Sequence, residues 1–382
     1  MQKPPQRLLM GPGPSSVEPR VLAAMSQPTL GHLDPAFLAM MDSIASMLRQ
    51  AFRTKNPLTL TISGTGTAGM EAAVTNIVEP SDRVVVCVAG YFGARIADMV
   101  RRVGGDPILV EVPWGRPVPP DDIEKVLAST AGPIKAVALV HAETSTGIMQ
   151  PLDDAIRLAH ARDALVIVDA VTSLGGIPLD VDGAGGGEGI DVCYSGSQKC
   201  LGGPPGLAPI TVGPRAHAAL RKRKNPPVSF ALDLRLLEAY WGPERTYHHT
   251  APSNSYYGLA EALELLLAEG LESRFARHRA THERLALGAA GLGLDFLAEP
   301  EHRLPVLNAL RIPDGVDEKG VRARLLAEHN IEIGGGLGPL AGQIWRVGLM
   351  GGSAREENVA RLLTALRIIL GAGRMSRPTR PS

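Results

Sequence analysis

Short apolar runs punctuate the first half of the chain: Leu58-Thr-Leu-Thr-Ile62, Arg83-Val-Val-Val-Cys-Val88, Pro107-Ile-Leu-Val110, Ala136-Val-Ala-Leu-Val140 and Leu165-Val-Ile-Val168. Most show no polar alternation, which fits strands covered on both faces. Helical patterns separate them, at residues 70–78, 93–103 and 153–162. Strand and helix in turn predict βαβ units and a mostly parallel sheet. Ile190-Asp-Val-Cys-Tyr194 reads as one more short buried strand, and Gly183 to Gly189 as a flexible loop. Ahead of the strands, residues 15–55 look helical, with Ser16 a plausible N-cap near Pro19 and Phe37, Met40, Met41, Ile44, Met47 and Leu48 at helical spacing.

The character changes near residue 255. A long helical stretch, 258–292, leads to strands near 305–312, 331–333 and 344–347, with helices at 317–329 and 356–370. The expected division is an N-terminal extension (1–20) contributing to the active-site and dimer region, a large domain (21–255) and a small α+β domain (256–371). A tail (372–382) rich in Arg, Pro and Ser is expected to be disordered.

Composition narrows the function classes. Lys plus Arg equals Asp plus Glu, 39 each, so no electrostatic footprint for nucleic acid or acidic membrane is present. The basic cluster Arg221-Lys-Arg-Lys224 abuts Pro226-Pro227 and reads as a solvated turn. Cys87, Cys193 and Cys200 are too few for a disulfide framework and lack metal-ligand spacing. Met1-Gln-Lys-Pro-Pro5 has no apolar core of a leader, and no run approaches membrane-spanning length. A soluble cytoplasmic protein without a metal is expected.

Three features carry chemistry. Lys199 ends Ser195-Gly-Ser-Gln-Lys199, directly after the strand 190–194, so it sits where open α/β sheets place their ligands. Desolvation there would deprotonate the amine and make it a nucleophile toward aldehydes; a solvated surface lysine is the ordinary alternative. Asp169 ends a strand so apolar that its carboxylate calls for a cationic partner. Ser63-Gly-Thr-Gly-Thr67 follows a strand and opens a helix, whose free N–H groups suit a phosphate. Together they are the parts of a pyridoxal-phosphate site. Gly64 to Gly69 also satisfies G-x-G-x-x-G, but a dinucleotide site needs an acid at the end of the second strand, and Ala89-Gly-Tyr91 stands there. Arg346 interrupts an apolar strand between Trp345 and Val347, which suits a bidentate clamp on a carboxylate or an internal ion pair. His248 and His249 lack a carboxylate cluster and, being adjacent, are expected to point in different directions.

The order of these motifs resembles class V aminotransferases of fold type I, in particular the alanine–glyoxylate and serine–pyruvate aminotransferase group. The resemblance runs through Leu9-Met-Gly-Pro-Gly-Pro14, Gly31-His-Leu-Asp34, Ser63 to Thr67, Glu143-Thr-Ser-Thr-Gly147, Val168 to Gly176, Ser195 to Lys199, Tyr247-His-His-Thr250, Gly334 to Gly338 and Trp345-Arg-Val-Gly348. It implies a homodimeric enzyme with Lys199 holding the cofactor as an internal aldimine, then acting as general base and acid. Asp169 would partner the pyridine nitrogen, Thr144 the ring phenol oxygen, and Phe92 would stack on the ring. Thr65, Gly66, Thr67 and Gln198 would meet the phosphate and Val171 the cofactor, while Tyr247 and Thr250 would reach the partner's phosphate. Gly13 and Arg346 would meet the substrate. The implied reaction is ping-pong transamination between alanine or serine and glyoxylate or pyruvate. A lyase of the cysteine-desulfurase type shares the fold, but needs a thiol in the later half, where no cysteine follows Cys200.

Overall fold

A computed structural model describes residues 4–375. Seven strands form the main sheet: β1 (Leu58–Ser63), β2 (Arg83–Val88), β3 (Asp106–Glu111), β4 (Ala136–Val140), β5 (Leu165–Asp169), β6 (Val192–Tyr194) and β7 (Leu207–Val212). Their spatial order is β1-β7-β6-β5-β4-β2-β3. β2 to β6 pair in parallel, whereas β7 runs antiparallel to both β1 and β6. Every residue of β4 and of β5 is buried, because helices cover both faces. β7 is the strand that sequence pattern did not signal. Pro209 sits inside it, paired with Thr61, and proline in a central strand ordinarily argues against one.

The connections place the carboxyl ends of β1, β2, β4, β5 and β6 along one edge of the sheet. The helical patterns at 70–78 and 93–103 start from that edge, as the helices Gly66–Ile77 and Tyr91–Arg102. Residues 15–55 form two helices, Pro19–Met25 and Pro35–Phe52. Glu18, not Ser16, is the N-cap of the first, and the Ser16 hydroxyl instead accepts the Leu9 N–H. The stretch 258–292 is likewise two helices, Ser253–Glu269 and Leu271–Ala290, divided at Gly270, whose φ of +82° only glycine adopts easily. Gly183 to Gly189, expected as a loop, holds the single turn Ala184–Gly187, whose Gly185 N–H is capped by Asp153 at 2.8 Å.

A second sheet, β8 (Leu307–Arg311), β9 (Gly334–Gly335) and β10 (Ile344–Gly348), runs antiparallel in the order β8-β10-β9. Its core is separate, built from Leu310, Val321, Trp345, Val347, Val359 and neighbours. Met10 belongs to that core although it lies at the other end of the chain. Tyr256, Leu259, Leu263 and Leu266, beyond residue 255, pack into the core of the large sheet. A third cluster, including Ala142, Ile177, Cys200, Leu307 and Met350, joins the two sheets directly behind Lys199. The last helix, Glu356–Met375, continues past the point where a disordered tail was expected; residues 376–382 of that tail lie outside the described residues.

Candidate active site

Lys199 is half-buried in the turn that follows β6. Its amine donates to the Pro12 carbonyl, and the Ser15 hydroxyl donates to its carbonyl at 2.9 Å. The N-terminal segment is thus laid over the lysine, held on its far side by the Gly348 N–H bond to the Met10 carbonyl (2.8 Å). Gly13 makes this passage possible. Its φ is +104°, and a Cβ there would stand 2.6 Å from Lys199 Nζ. Burial pulls the amine down from its usual 10.5 to about 8. Cys200 would oppose this as a thiolate, but its own burial pushes that thiol up to about 12, so it stays neutral. The Arg346 charge lowers the amine further and Asp169 raises it.

Asp169, 4% exposed, closes β5. Oδ1 accepts the Val171 N–H at 2.8 Å and Oδ2 the Tyr194 hydroxyl at 2.9 Å. Burial pushes its carboxyl up to about 6, against those two donors, with Glu143 adding to the rise and Lys199 opposing it. Both partners are neutral, and no cation among the described residues pairs with it. In the sequence Tyr194 is only a strand residue. Register decides its role: Asp169 and Tyr194 are direct cross-strand partners, so their side chains share one face.

Arg346, on β10, is the complementary case. It is 7% exposed, and its guanidinium reaches only two carbonyls, Gly335 O at 2.7 Å and Thr144 O at 3.4 Å. No carboxylate among the described residues ion-pairs with it, so the internal-salt-bridge alternative does not hold. Burial draws it down to about 10, opposed by the charge of Glu143 and helped by Arg322. Thr144 is buried beside it, and its hydroxyl makes no hydrogen bond among the described residues.

The glycine-rich turn lies on the same edge. Thr65 is the N-cap of the helix Gly66–Ile77 and provides no side-chain cap, so the first N–H groups face outward. A Cβ on Gly66 would meet Val171 Cγ2 at 2.9 Å, and one on Gly196 would stand 3.4 Å from Gly66 Cα. The turn, Val171 and the Ser195–Lys199 loop therefore close on one another. Gln198 points a buried, unpartnered amide oxygen here, and half a turn of the amide puts its N–H2 in that place. Thr65 and Thr67 are exposed. Phe92 is half-buried, with the Arg95 guanidinium 5.1 Å from its ring centre.

Tyr247 and Thr250 stand apart. Tyr247 is 59% exposed with its ring 5.2 Å from that of His32, and neither side chain hydrogen-bonds this groove among the described residues. His248 and His249 do not diverge as expected. Their Nδ1 atoms lie 2.8 Å apart, because His248 is fixed to the Phe230 carbonyl (3.1 Å) and His249 to the Ser63 hydroxyl (2.7 Å). Among the described residues no group of His, Cys, Asp and Glu is arranged to hold a metal.

The donor set fits pyridoxal phosphate. A buried carboxylate without a cation awaits a pyridinium, a buried guanidinium without an anion awaits a carboxylate, and both act on the Lys199 amine, which burial draws down to about 8. The helix start and Gln198 offer donors to a phosphate. Comparison with known proteins agrees. Residues 8–344 match the family described as Aminotransferase class-V. The (S)-ureidoglycine–glyoxylate transaminase of Bacillus subtilis is 40% identical over 96% of this chain and 91% of its own. The alanine–glyoxylate aminotransferase of Drosophila melanogaster is 41% identical over 95% and 92%. The crystal structure of alanine–glyoxylate aminotransferase from Nostoc sp. superposes with a TM-score of 0.94 at 50% identity, covering 97% of this chain and 96% of that one. With that fold and that set of groups, the chain belongs to the class-V aminotransferases and is a pyridoxal-phosphate-dependent aminotransferase.

Proposed function

We propose that the protein moves an amino group from a small amino acid, alanine or serine, to glyoxylate in a two-step exchange, with pyruvate the alternative acceptor. The carrying observation is a pair of buried charged groups, neither ion-paired among the described residues and both acting on the Lys199 amine: Asp169 for the cofactor ring and Arg346 for a substrate carboxylate. The relatives named for glyoxylate support that acceptor. Mixing the loaded enzyme with each amino acid singly and following its visible band tests the donor. Alanine or serine should bleach the band fastest, and glyoxylate should restore it. A response confined to large or acidic donors would overturn the small-substrate reading.

When bound, the cofactor supplies an electron sink for the bond broken at the substrate Cα. The chain supplies the rest. Arg346 would hold the α-carboxylate in one plane by a bidentate pair. Asp169 would keep its ring partner protonated, and Thr144 and Phe92 would orient the ring. Lys199, its amine displaced by substrate, would accept the Cα proton and return it one position away. An amine near 8 is poised for this, being part neutral and part charged near neutral pH. The same shift predicts the pH dependence of cofactor capture by the cofactor-free chain. Only the neutral amine attacks an aldehyde, so the capture rate should rise with pH and level off above about 8. Stopped-flow absorbance measures it; a rate still climbing near pH 10, as for an exposed lysine, would contradict the site environment.

The homodimer belongs to the same proposal. Tyr247, Val228 and Phe230 are 59%, 81% and 68% exposed; the Tyr247 ring contacts His32 and the Phe230 ring stacks on His248, the residue after Tyr247. Exposed apolar side chains in two nearby stretches of the sequence favour an interface there. Tyr247 and Thr250 would then reach the partner's phosphate, and the segment 1–20 would lie at the joint active-site and dimer region. Mixed dimers of Lys199→Ala with Tyr247→Ala chains should keep one intact site and exceed either parent in activity. A monomer by light scattering at micromolar concentration would refute this. A cytoplasmic placement is part of the same proposal; among the described residues no helix is long and apolar enough to cross a membrane.

A further inference from the structure

The helix Tyr91–Arg102 begins without a cap of its own. Its N-cap residue is Gly90, which has no side chain to accept a hydrogen bond. The loop after β4 supplies the cap instead. Tyr91 N–H donates to Ser145 Oγ at 2.9 Å, and Phe92 and Gly93 N–H donate to Glu143 Oε2 at 3.0 and 3.3 Å. The other carboxylate oxygen, Oε1, accepts the Ser145 N–H at 3.0 Å and the Ser145 hydroxyl at 2.5 Å. Ser145 Oγ already receives the Tyr91 N–H, so its own proton is directed to Glu143.

Four bonds therefore run into one carboxylate that is 1% exposed. Both oxygens must accept, which a carboxylate does and a carboxamide cannot. Gly90 leaves room for it: a Cβ there would stand 2.6 Å from Glu143 Cγ and Cδ. A buried carboxylate at a helix start is an ordinary structural device. Its place is what distinguishes this one. The second residue of the helix is Phe92, and the residue after Glu143 is Thr144, whose carbonyl receives Arg346. One side chain thus ties together a helix start and a turn, the segments that carry Phe92 and Thr144.

We infer that Glu143, acting with Ser145, is a positioning residue for amino transfer: it locks the first turn of the helix so that Phe92 presents its ring to the cofactor with Thr144 held alongside. This rests on the reading that Phe92 contacts the cofactor ring. Replacing Glu143 by glutamine turns an acceptor into a donor facing N–H groups, which frees the turn to shift. Arg95, stacked over Phe92, cannot hold it alone, since it bonds the ring and not the backbone.

The test uses the holoenzyme and compares Phe92→Ala, Glu143→Gln, Ser145→Ala and the double variant Phe92→Ala with Glu143→Gln. Visible circular dichroism of the bound cofactor and its dissociation constant by equilibrium dialysis are the readouts, alongside thermal unfolding. Glu143→Gln should weaken cofactor binding about tenfold, the scale of one or two buried hydrogen bonds lost, and shrink the dichroic band. In the Phe92→Ala background the same change should cost under about twofold, because coupled residues are not additive. Ser145→Ala should shift both readouts in the same direction but less. It also carries the comparison if Glu143→Gln does not fold. Equal losses from Glu143→Gln with and without Phe92 would make Glu143 a general support of the fold and overturn the proposal. So would an unchanged Glu143→Gln beside an impaired Phe92→Ala. An unchanged Phe92→Ala would instead remove the ring-contact reading on which the proposal stands.

Discussion

Lys199→Ala is expected to lower turnover by roughly 10⁴-fold or more, the combined loss of a nucleophile and a proton carrier. Among the described residues, none of the neighbouring groups is suited to replace it. Asp169 is proposed to partner the ring, Tyr194 is committed to Asp169, and Arg346 holds its protons at any physiological pH. The variant should still bind cofactor, because Gln198, the helix start at Gly66 and Asp169 remain. Steady-state rates and cofactor content, measured on one preparation, separate the two effects. Borohydride treatment of the unaltered enzyme should fix the cofactor mass on the peptide bearing Lys199. Residual turnover above roughly a hundredth of the parent, or the label on another lysine, would defeat the assignment.

Arg346→Ala is the second large effect. Donor and acceptor share only the α-carboxylate, so one clamp serves both half-reactions. Losing a charge-assisted bidentate pair should cost about 2–4 kcal/mol, roughly 30- to 1,000-fold in kcat/KM. The loss should be similar for alanine or serine in the first half-reaction and for glyoxylate or pyruvate in the second. The visible spectrum of the bound cofactor should not change, since Arg346 bonds Gly335 and Thr144 through their carbonyls and not Asp169. Arg346→Lys should recover little, because an ammonium cannot meet two carboxylate oxygens in one plane. Intact half-reactions with weakened cofactor binding would make Arg346 a structural residue.

Much of the architecture follows from local pattern. Apolar runs such as Ala136–Val140 and Leu165–Asp169 are buried on both faces, and a run of that kind needs no knowledge of its neighbours to be read as a strand. Lys199 and Asp169 were legible as candidates for a related reason: Asp169 ends such a run and Lys199 follows one across a four-residue turn. The break at Gly270 was less so, because helical periodicity passes through it and only the backbone angle reveals the end of one helix. β7 escaped because Pro209 carries the opposite signal, and its place between β1 and β6 is settled by pairing.

What the amino-acid order determined by itself is therefore which groups stand at strand ends and helix starts, together with their chemistry. Only the tertiary structure decided their partners. Cross-strand register sets the Tyr194 hydroxyl on Asp169. The return of the N-terminal segment puts the Pro12 carbonyl on the Lys199 amine, 187 residues away. The loop after β4 brings Glu143 to a helix that Gly90 leaves uncapped. Periodicity and side-chain type are short-range properties of a chain, whereas hydrogen bonds across the fold depend on where distant segments come to rest. That is why Arg346 could be read from sequence as a guanidinium in need of a carboxylate, while the absence of any internal carboxylate beside it could be seen only among the described residues of the folded chain.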